Sequence, residues 1–375
     1  MVGATVSGTD IATGTPVSIE FGRTIQSVRQ DLHAPSDIFI APGFVDLQVN
    51  GFGGVDFNNP SISPGQAAVA VDAILATGVT RFLPTVITGS PAEMLASLRN
   101  LKQVQQEFPA IAGFHVEGPH IGLEDGPRGA HPARWVRPPD REEFLRWQEA
   151  TDGQIRLVTL SPHWVDAPDY IAGLVRDRVV VSIGHTEATA DQIAAAVDAG
   201  ATLSTHVGNA AHATLRRHPN YLWDQLAEDR LSASFIVDGI HLGEAFLRVA
   251  LRAKGVGNTI LVTDAAAPAG AAPGPYRLGE LDVELTSDDR VVLAGTSKLA
   301  GSSLRMNRAI SNVVRIGQVS LRDAVQMASA NPARLIGLES GLQPGAPADF
   351  VLFRIADPLQ IVAVYRSGER VYNCN

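Results

Sequence analysis

Four residues of this chain belong to the types from which hydrolytic metal sites are built, and each stands at the end of a short apolar run. Glu117 closes Phe-His-Val-Glu, His185 follows Val-Ser-Ile-Gly, His206 closes Leu-Ser-Thr-His and Asp264 follows Thr-Ile-Leu-Val-Thr. Two imidazoles and one carboxylate with a fourth position open form a set that catalytic zinc sites use, where the ion lowers the pKa of bound water. A further carboxylate facing that water can take its proton and deliver it to a leaving amine, the role expected of Asp264. Each residue also has a plainer reading. A lone His is more often packed or at the surface, Glu117 could cap a loop amide or pair with an arginine, and Asp264 could be an N-cap or turn residue. What favours the chemistry is that all four occur together at matching positions.

Those positions follow from the elements around them. Eight apolar runs alternate with longer segments of helical period: Phe44–Val49, Thr80–Pro84, Ile111–Glu117, Ile155–Leu160, Val179–Ile183, Thr202–His206, Ala233–Val237 and Thr259–Thr263. Runs of this kind are the mark of parallel strands covered on both faces. Ser90-Pro91-Ala92-Glu93 supplies a helix start in the right place, with an N-cap hydroxyl, a proline at the first helical position and a capping-box glutamate. Eight βα units predict an α/β fold, a (β/α)8 TIM-type barrel whose chemistry sits at the C-terminal ends of its strands. The polar residues obey that rule: Gln48 and Asn50 close the first run, His115 and Glu117 the third, Asp238 and His241 follow the seventh. No Gly-rich phosphate or dinucleotide loop follows an early strand, which argues against a doubly wound sheet.

Both ends have a different texture. The first forty residues and the segment from Gly345 to Tyr372 read as short antiparallel strands, predicting a small β-sandwich domain made of 1–41 and 344–375 around a barrel domain of 42–343. With 375 residues, 45% of them hydrophobic, the chain can bury a large core. A net charge of −9 disfavours nucleic acid and anionic membranes as partners, so an anionic substrate must be met by local positive groups. The one cysteine, Cys374, allows neither a disulfide framework nor a thiolate cluster and suits a reducing cytoplasm. The start of the chain has no Lys or Arg before Arg23 and no apolar stretch of signal-peptide type, and the longest apolar stretches are interrupted by Asp72 and Asp198. A soluble, cytoplasmic protein is expected.

The run PGFVDLQVNGFGGVDFNN, followed in order by HVEGP, GHT, STHVGNA, DGIHL, VTDA and LAGSSLRMN, resembles the N-acetylglucosamine-6-phosphate deacetylase family of the amidohydrolase superfamily over nearly the whole chain. The resemblance implies hydrolysis of an acetamide to acetate and an amino-sugar phosphate. It makes Glu117, His185 and His206 the ligands of one divalent ion per subunit, zinc first, with Fe2+, Co2+ or Mn2+ as substitutes, and Asp264 the proton shuttle. It places His131 on the acetamide carbonyl, Asn209, Ala210, Arg217 and His241 on the sugar phosphate, and Leu299, Ala300 and Gly301 in a loop over the sugar. It also implies a homodimer in which Arg217 reaches the neighbouring site.

Two features depart from the pattern. Gln48-Val49-Asn50 stands where many amidohydrolases have His-x-His, which favours a mononuclear site, since neutral amides are poor ligands for a transition metal. The segments from Gly122 to Arg128 and from Ala211 to Arg216 do not look typical of the family. Rival readings are an amidohydrolase acting on another acetamido sugar or a cyclic amide, and a non-catalytic assembly protein on the same scaffold.

Overall fold

The computed structural model describes residues 3–374. Eight strands lie side by side in chain order: β1 Phe44–Val49, β2 Val79–Ile87, β3 Phe114–Glu117, β4 Ile155–Leu160, β5 Val180–Ile183, β6 Leu203–Ser204, β7 Ser232–Ile236 and β8 Thr259–Val262. Every neighbouring pair is parallel. The sheet closes where the Asp264 N–H donates to the Gln48 carbonyl (3.0 Å) and the Asn50 N–H to the Ala265 carbonyl (2.7 Å). The expected (β/α)8 barrel is the observed one, and each predicted run falls on a strand. The ends differ most at β2, which continues to Ile87, and at β3, where Ile111 makes only an isolated bridge to Phe82.

Helices on the outside and packed side chains within explain why the strands read as unbroken apolar runs. All residues of β1 and β8 are buried, as parallel strands enclosed on both faces must be. Helix starts are set locally. Ser90 accepts from the Glu93 N–H at the head of helix Pro91–Glu107, while Ser63 with Gln66 and Thr189 with Gln192 form complete capping boxes on two others. Inside the barrel one layer is polar. His115 contacts Thr85 Oγ1 (3.3 Å) and Thr159 Oγ1 (2.8 Å), and Thr159 contacts Thr205 (2.8 Å), so these buried groups satisfy one another below the strand ends.

The two ends of the chain share one seven-stranded sheet, in the order Glu369–Asn373, Gln360–Arg366, Phe350–Arg354, Phe39–Pro42, Ala4–Asp10, Pro16–Phe21, Ile25–Gln30. It curls so that Phe21 in one half meets Phe350 and Tyr365 in the other, with ring centroids 4.9 and 5.3 Å apart. Met1, Val2 and Asn375, which the sequence assigns to this unit, lie outside the described residues. A three-stranded antiparallel sheet, Gly274–Leu278, Leu281–Leu285 and Val291–Leu293, follows β8 and was not foreseen. Its alternation of Leu281, Val283 and Leu285 across a Gly279-Glu280 turn was legible as a hairpin. Its apolar face packs on Ile87, Ala266 and Ala300, beside the barrel mouth. No helix among the described residues is long and apolar enough to cross a membrane.

Candidate active site

The closed barrel brings the ends of β3, β5 and β6 together. One donor atom each from Glu117, His185 and His206 lies within 4.8 Å of the others, and all three side chains are buried. Glu117 Oε1 is 3.2 Å from His185 Nε2 and 3.0 Å from His206 Nε2. The Pro127 carbonyl, 2.9 Å from His185 Nδ1, can only accept, so the ring proton of neutral His185 sits on Nδ1. That leaves the Nε2 lone pair facing a carboxylate oxygen. Two such acceptors need positive charge between them, and the buried His206 Nδ1 has no hydrogen-bond partner among the described residues. The electrostatics agree. Burial alone would raise Glu117, but the imidazoles of His185 and His206 hold it well below the usual carboxylate range. Burial likewise opposes the charge on His206, and Glu117 overrides it in the upward direction. A two-His, one-carboxylate centre that attracts positive charge fits a divalent cation.

Holding these groups inward strains the backbone. His185, His206, Ala210 and Asp264 have φ of 50°, 31°, 46° and 50°, in the left-handed region, at about 1 to 3 kcal/mol each. Gly184, just before His185, does not itself make the turn. A Cβ there would lie 2.7 Å from Thr159 Cγ2 and 2.8 Å from Thr205 Cβ, so glycine is required for close approach and His185 itself makes the turn.

Gln48 and Asn50, at the end of β1, turn out to be donors. Gln48 Nε2 donates to Glu117 Oε1 (2.8 Å) and Asp264 Oδ1 (3.0 Å), and Asn50 Nδ2 donates to the same Asp264 oxygen (2.7 Å). Both amides converge on Oδ1, leaving Oδ2 without a hydrogen-bond partner among the described residues. Burial, then the Glu117 charge, pushes Asp264 up to about 6, the range of a working general base. Asp46, a carboxylate inside the β1 run that the sequence reading passed over, braces this corner. It accepts from Thr263 Oγ1 (2.6 Å), and burial pushes it up to about 7.

His131 comes from the loop after β3. Burial and then His185 lower it to about 3, so it is neutral. Its Nδ1 lies 2.8 Å from Thr88 Oγ1, just past β2, and its Nε2 3.9 Å from Glu117 Oε2. The cavity over these groups is about 160 Å3, and Asn209, Ala210, His241, Leu299, Ala300 and Gly301 all line it. His241 is fixed by Asp238, whose Oδ2 is 2.6 Å from its Nδ1. Sequence reasoning missed Ile87, Leu278 and Leu281 on the apolar wall, and Thr88 behind His131. Arg217 is the exception among the predicted residues. It is exposed in a separate groove with Leu215, Trp223 and Phe246, and does not reach this chain's cavity. No Lys or Arg among the described residues lines the cavity. A larger cavity of about 540 Å3, beyond Ile87 and lined by Asp56, Met94 and Tyr276, contains none of the candidate ligands.

Comparison with known proteins places this geometry in context. Residues 39–371 match the model of the Amidohydrolase family. The chain is 37% identical over 348 residues to N-acetylglucosamine-6-phosphate deacetylase of Bos taurus, spanning 89% of this chain and 83% of that protein. It is 32% identical over 337 residues to N-acetylgalactosamine-6-phosphate deacetylase of a Shewanella species, spanning 89% and 83%. Among solved structures, a point mutant of N-acetyl-D-glucosamine-6-phosphate deacetylase from Mycobacterium smegmatis in complex with N-acetyl-D-glucosamine-6-phosphate is similar at a TM-score of 0.90 and 33% identity, covering 99% of this chain and 100% of that one.

Proposed function

The chain belongs to the amidohydrolase family and, within it, to the N-acetylglucosamine-6-phosphate deacetylases, and from that premise we propose that it hydrolyses the acetamide of N-acetylglucosamine-6-phosphate to glucosamine-6-phosphate and acetate. The observation that carries this reading is the convergence of Glu117, His185 and His206 beside a second carboxylate, Asp264, at the barrel mouth. Glu117, His185 and His206 hold one divalent ion, and zinc suits the donor set best, with Fe2+, Co2+ or Mn2+ able to replace it. When bound, the ion supplies Lewis-acid polarisation of the amide carbonyl and acidifies water.

The chain's own residues supply the rest. Asp264, fixed through Oδ1 by Gln48 and Asn50, takes the proton of the attacking water on Oδ2 and returns it to the departing nitrogen. Neutral His131 donates through Nε2 to the carbonyl oxygen as negative charge develops there. Ile87, Leu278 and Leu281 exclude bulk water from the acetyl group. His241, Asn209 and Ala210 meet the sugar phosphate, and Leu299, Ala300 and Gly301 cover the ring.

A phosphate also calls for a full positive charge, which this cavity lacks. Arg217 stands exposed beside Trp223 and Phe246, an apolar surface suited to a second copy of the chain. The active form in this reading is a homodimer in which Arg217 completes the neighbouring site. The catalytic unit is the barrel domain of 42–343, with 1–41 and 344–375 as its accessory domain, and the single cysteine accords with work in the cytoplasm.

Acetate release measured on N-acetylglucosamine, N-acetylgalactosamine and their 6-phosphates tests the proposal. Release is expected from a 6-phosphate and lost on chelation. A preference for an unphosphorylated sugar or a cyclic amide would overturn it.

A further inference from the structure

The two segments that depart from the family pattern meet in space. Gly126, in the loop after β3, packs on the backbone of Ala211 and His212, in the segment after β6; a Cβ on it would lie 2.9 Å from the Ala211 carbonyl oxygen. The contact places Glu124 Oε2 2.8 Å from His212 Nε2. Glu187, just past β5, completes a group: one donor atom each from Glu124, Glu187 and His212 lies within 4.8 Å of the other two. His163, from the turn after β4, stands 3.5 Å from Glu187 through its Nε2.

We propose that Glu124, Glu187 and His212, with His163 alongside, form a second divalent-cation site of zinc type, outside the barrel mouth. Three observations beyond proximity support it. Glu187 Oε2 is sealed from solvent with no hydrogen-bond partner among the described residues, a costly state for a carboxylate oxygen that a cation relieves. Neither glutamate has a Lys or Arg in ion-pair range among the described residues, so two carboxylates converge with imidazole as their only cationic partner. Both imidazoles are held from behind by a hydroxyl. Tyr221 OH is 3.0 Å from His212 Nδ1 and Ser161 Oγ is 2.7 Å from His163 Nδ1, so each ring directs Nε2 at a carboxylate. Outer contacts of this kind orient histidines that bind metal. Imidazole with carboxylates selects first-row transition ions over Mg2+ or Ca2+.

The site would tie together loops that serve the centre. The Gly122 N–H donates to the His185 carbonyl (2.7 Å), and Pro127 in the same loop holds His185 Nδ1. His212 lies two residues beyond Ala210 in the cavity wall.

The experiment is zinc content per chain after equilibration of the full-length protein with buffered micromolar free Zn2+. Wild type is expected to bind two equivalents, Glu124→Gln/His212→Ala one, and Glu117→Gln one, the last loss coming from the barrel centre. Tyr221→Phe removes only the hydroxyl behind His212, so it keeps the fold and should weaken the second equivalent roughly 10-fold or more. One equivalent in wild type, or two in Glu124→Gln/His212→Ala, would mean an ion-pair cluster only and overturn the proposal. Acetate release is read separately, so either result leaves the assignment of the reaction standing.

Discussion

The barrel centre and the segment from Ala211 to Asn220 lie one turn of chain apart, yet they are built on opposite principles. Glu117, His185, His206 and Asp264 are buried and borne on or just past strands, and the last three are held in costly left-handed backbone conformations. Arg217 is exposed, well past the end of β6 at Ser204, in a groove with Trp223. Groups that act on bonds must be placed to a fraction of an ångström, and closed strands do that. A group that recognises a distant phosphate needs charge and reach, and a long side chain on a surface segment supplies both. If the two regions divide the work in this way, their mutations should fail differently.

The largest effect is expected at the centre. Asp264→Asn keeps the shape and the metal but loses the proton shuttle, so turnover should fall by about 10²- to 10⁴-fold with metal content unchanged. Steady-state kinetics with elemental analysis checks this; near-normal turnover would remove Asp264 from the mechanism. Arg217→Ala should show a smaller loss of another kind. A charge-assisted contact is worth about 1.5 to 3 kcal/mol, so kcat/KM for the phosphorylated sugar should fall roughly 10- to 150-fold while the unphosphorylated sugar loses little. Equal losses on both substrates would break the comparison. So would a fully active monomer by light scattering, because Arg217 lies outside its own chain's cavity.

The same division explains what the sequence disclosed. The strands were legible because a parallel barrel buries both faces and leaves continuous apolar runs, and Glu117, His206 and Asp264 were legible because they interrupt such runs with charge or an imidazole. Thr88, Ile87 and Pro127 were not. A threonine after a strand, an isoleucine within one and a backbone carbonyl carry no compositional signal, and their roles arise only when the barrel closes. Gly184 was visible, but its reason was not, since the crowding by Thr159 and Thr205 is a contact between strands. Arg217 could be read as a cation for phosphate, while its distance from the cavity depends on tertiary placement. The hairpin at Leu281–Leu285 was readable from its alternation and was passed over because the barrel pattern already accounted for the region.

His131 sharpens the comparison because it is a loop residue asked to act with the accuracy of a strand residue. Its anchor is Thr88, at the end of β2. The Thr88 hydroxyl lies 2.8 Å from His131 Nδ1 and 3.5 Å from the Glu117 carbonyl, and donation by His131 through Nε2 requires the hydroxyl proton to go to Nδ1. The ring's own proton is then on Nε2, the tautomer able to donate to a carbonyl oxygen. Crowding enforces the arrangement. Gly118, at φ 79°, lets Thr88 in where a Cβ would meet its Oγ1 at 2.2 Å. Thr88→Val keeps the volume and deletes the donor. A hydrogen bond of this sort contributes about 0.5 to 1.5 kcal/mol net, so kcat should fall only about 2- to 12-fold, with KM little changed because the bond matters most as charge develops. Thr88→Ser restores the hydroxyl and should recover most of the loss. If Thr88→Val leaves kcat intact, or if Thr88→Ser is as impaired as Thr88→Val, Thr88 only fills space, and the accuracy of His131 has to come from the loop itself.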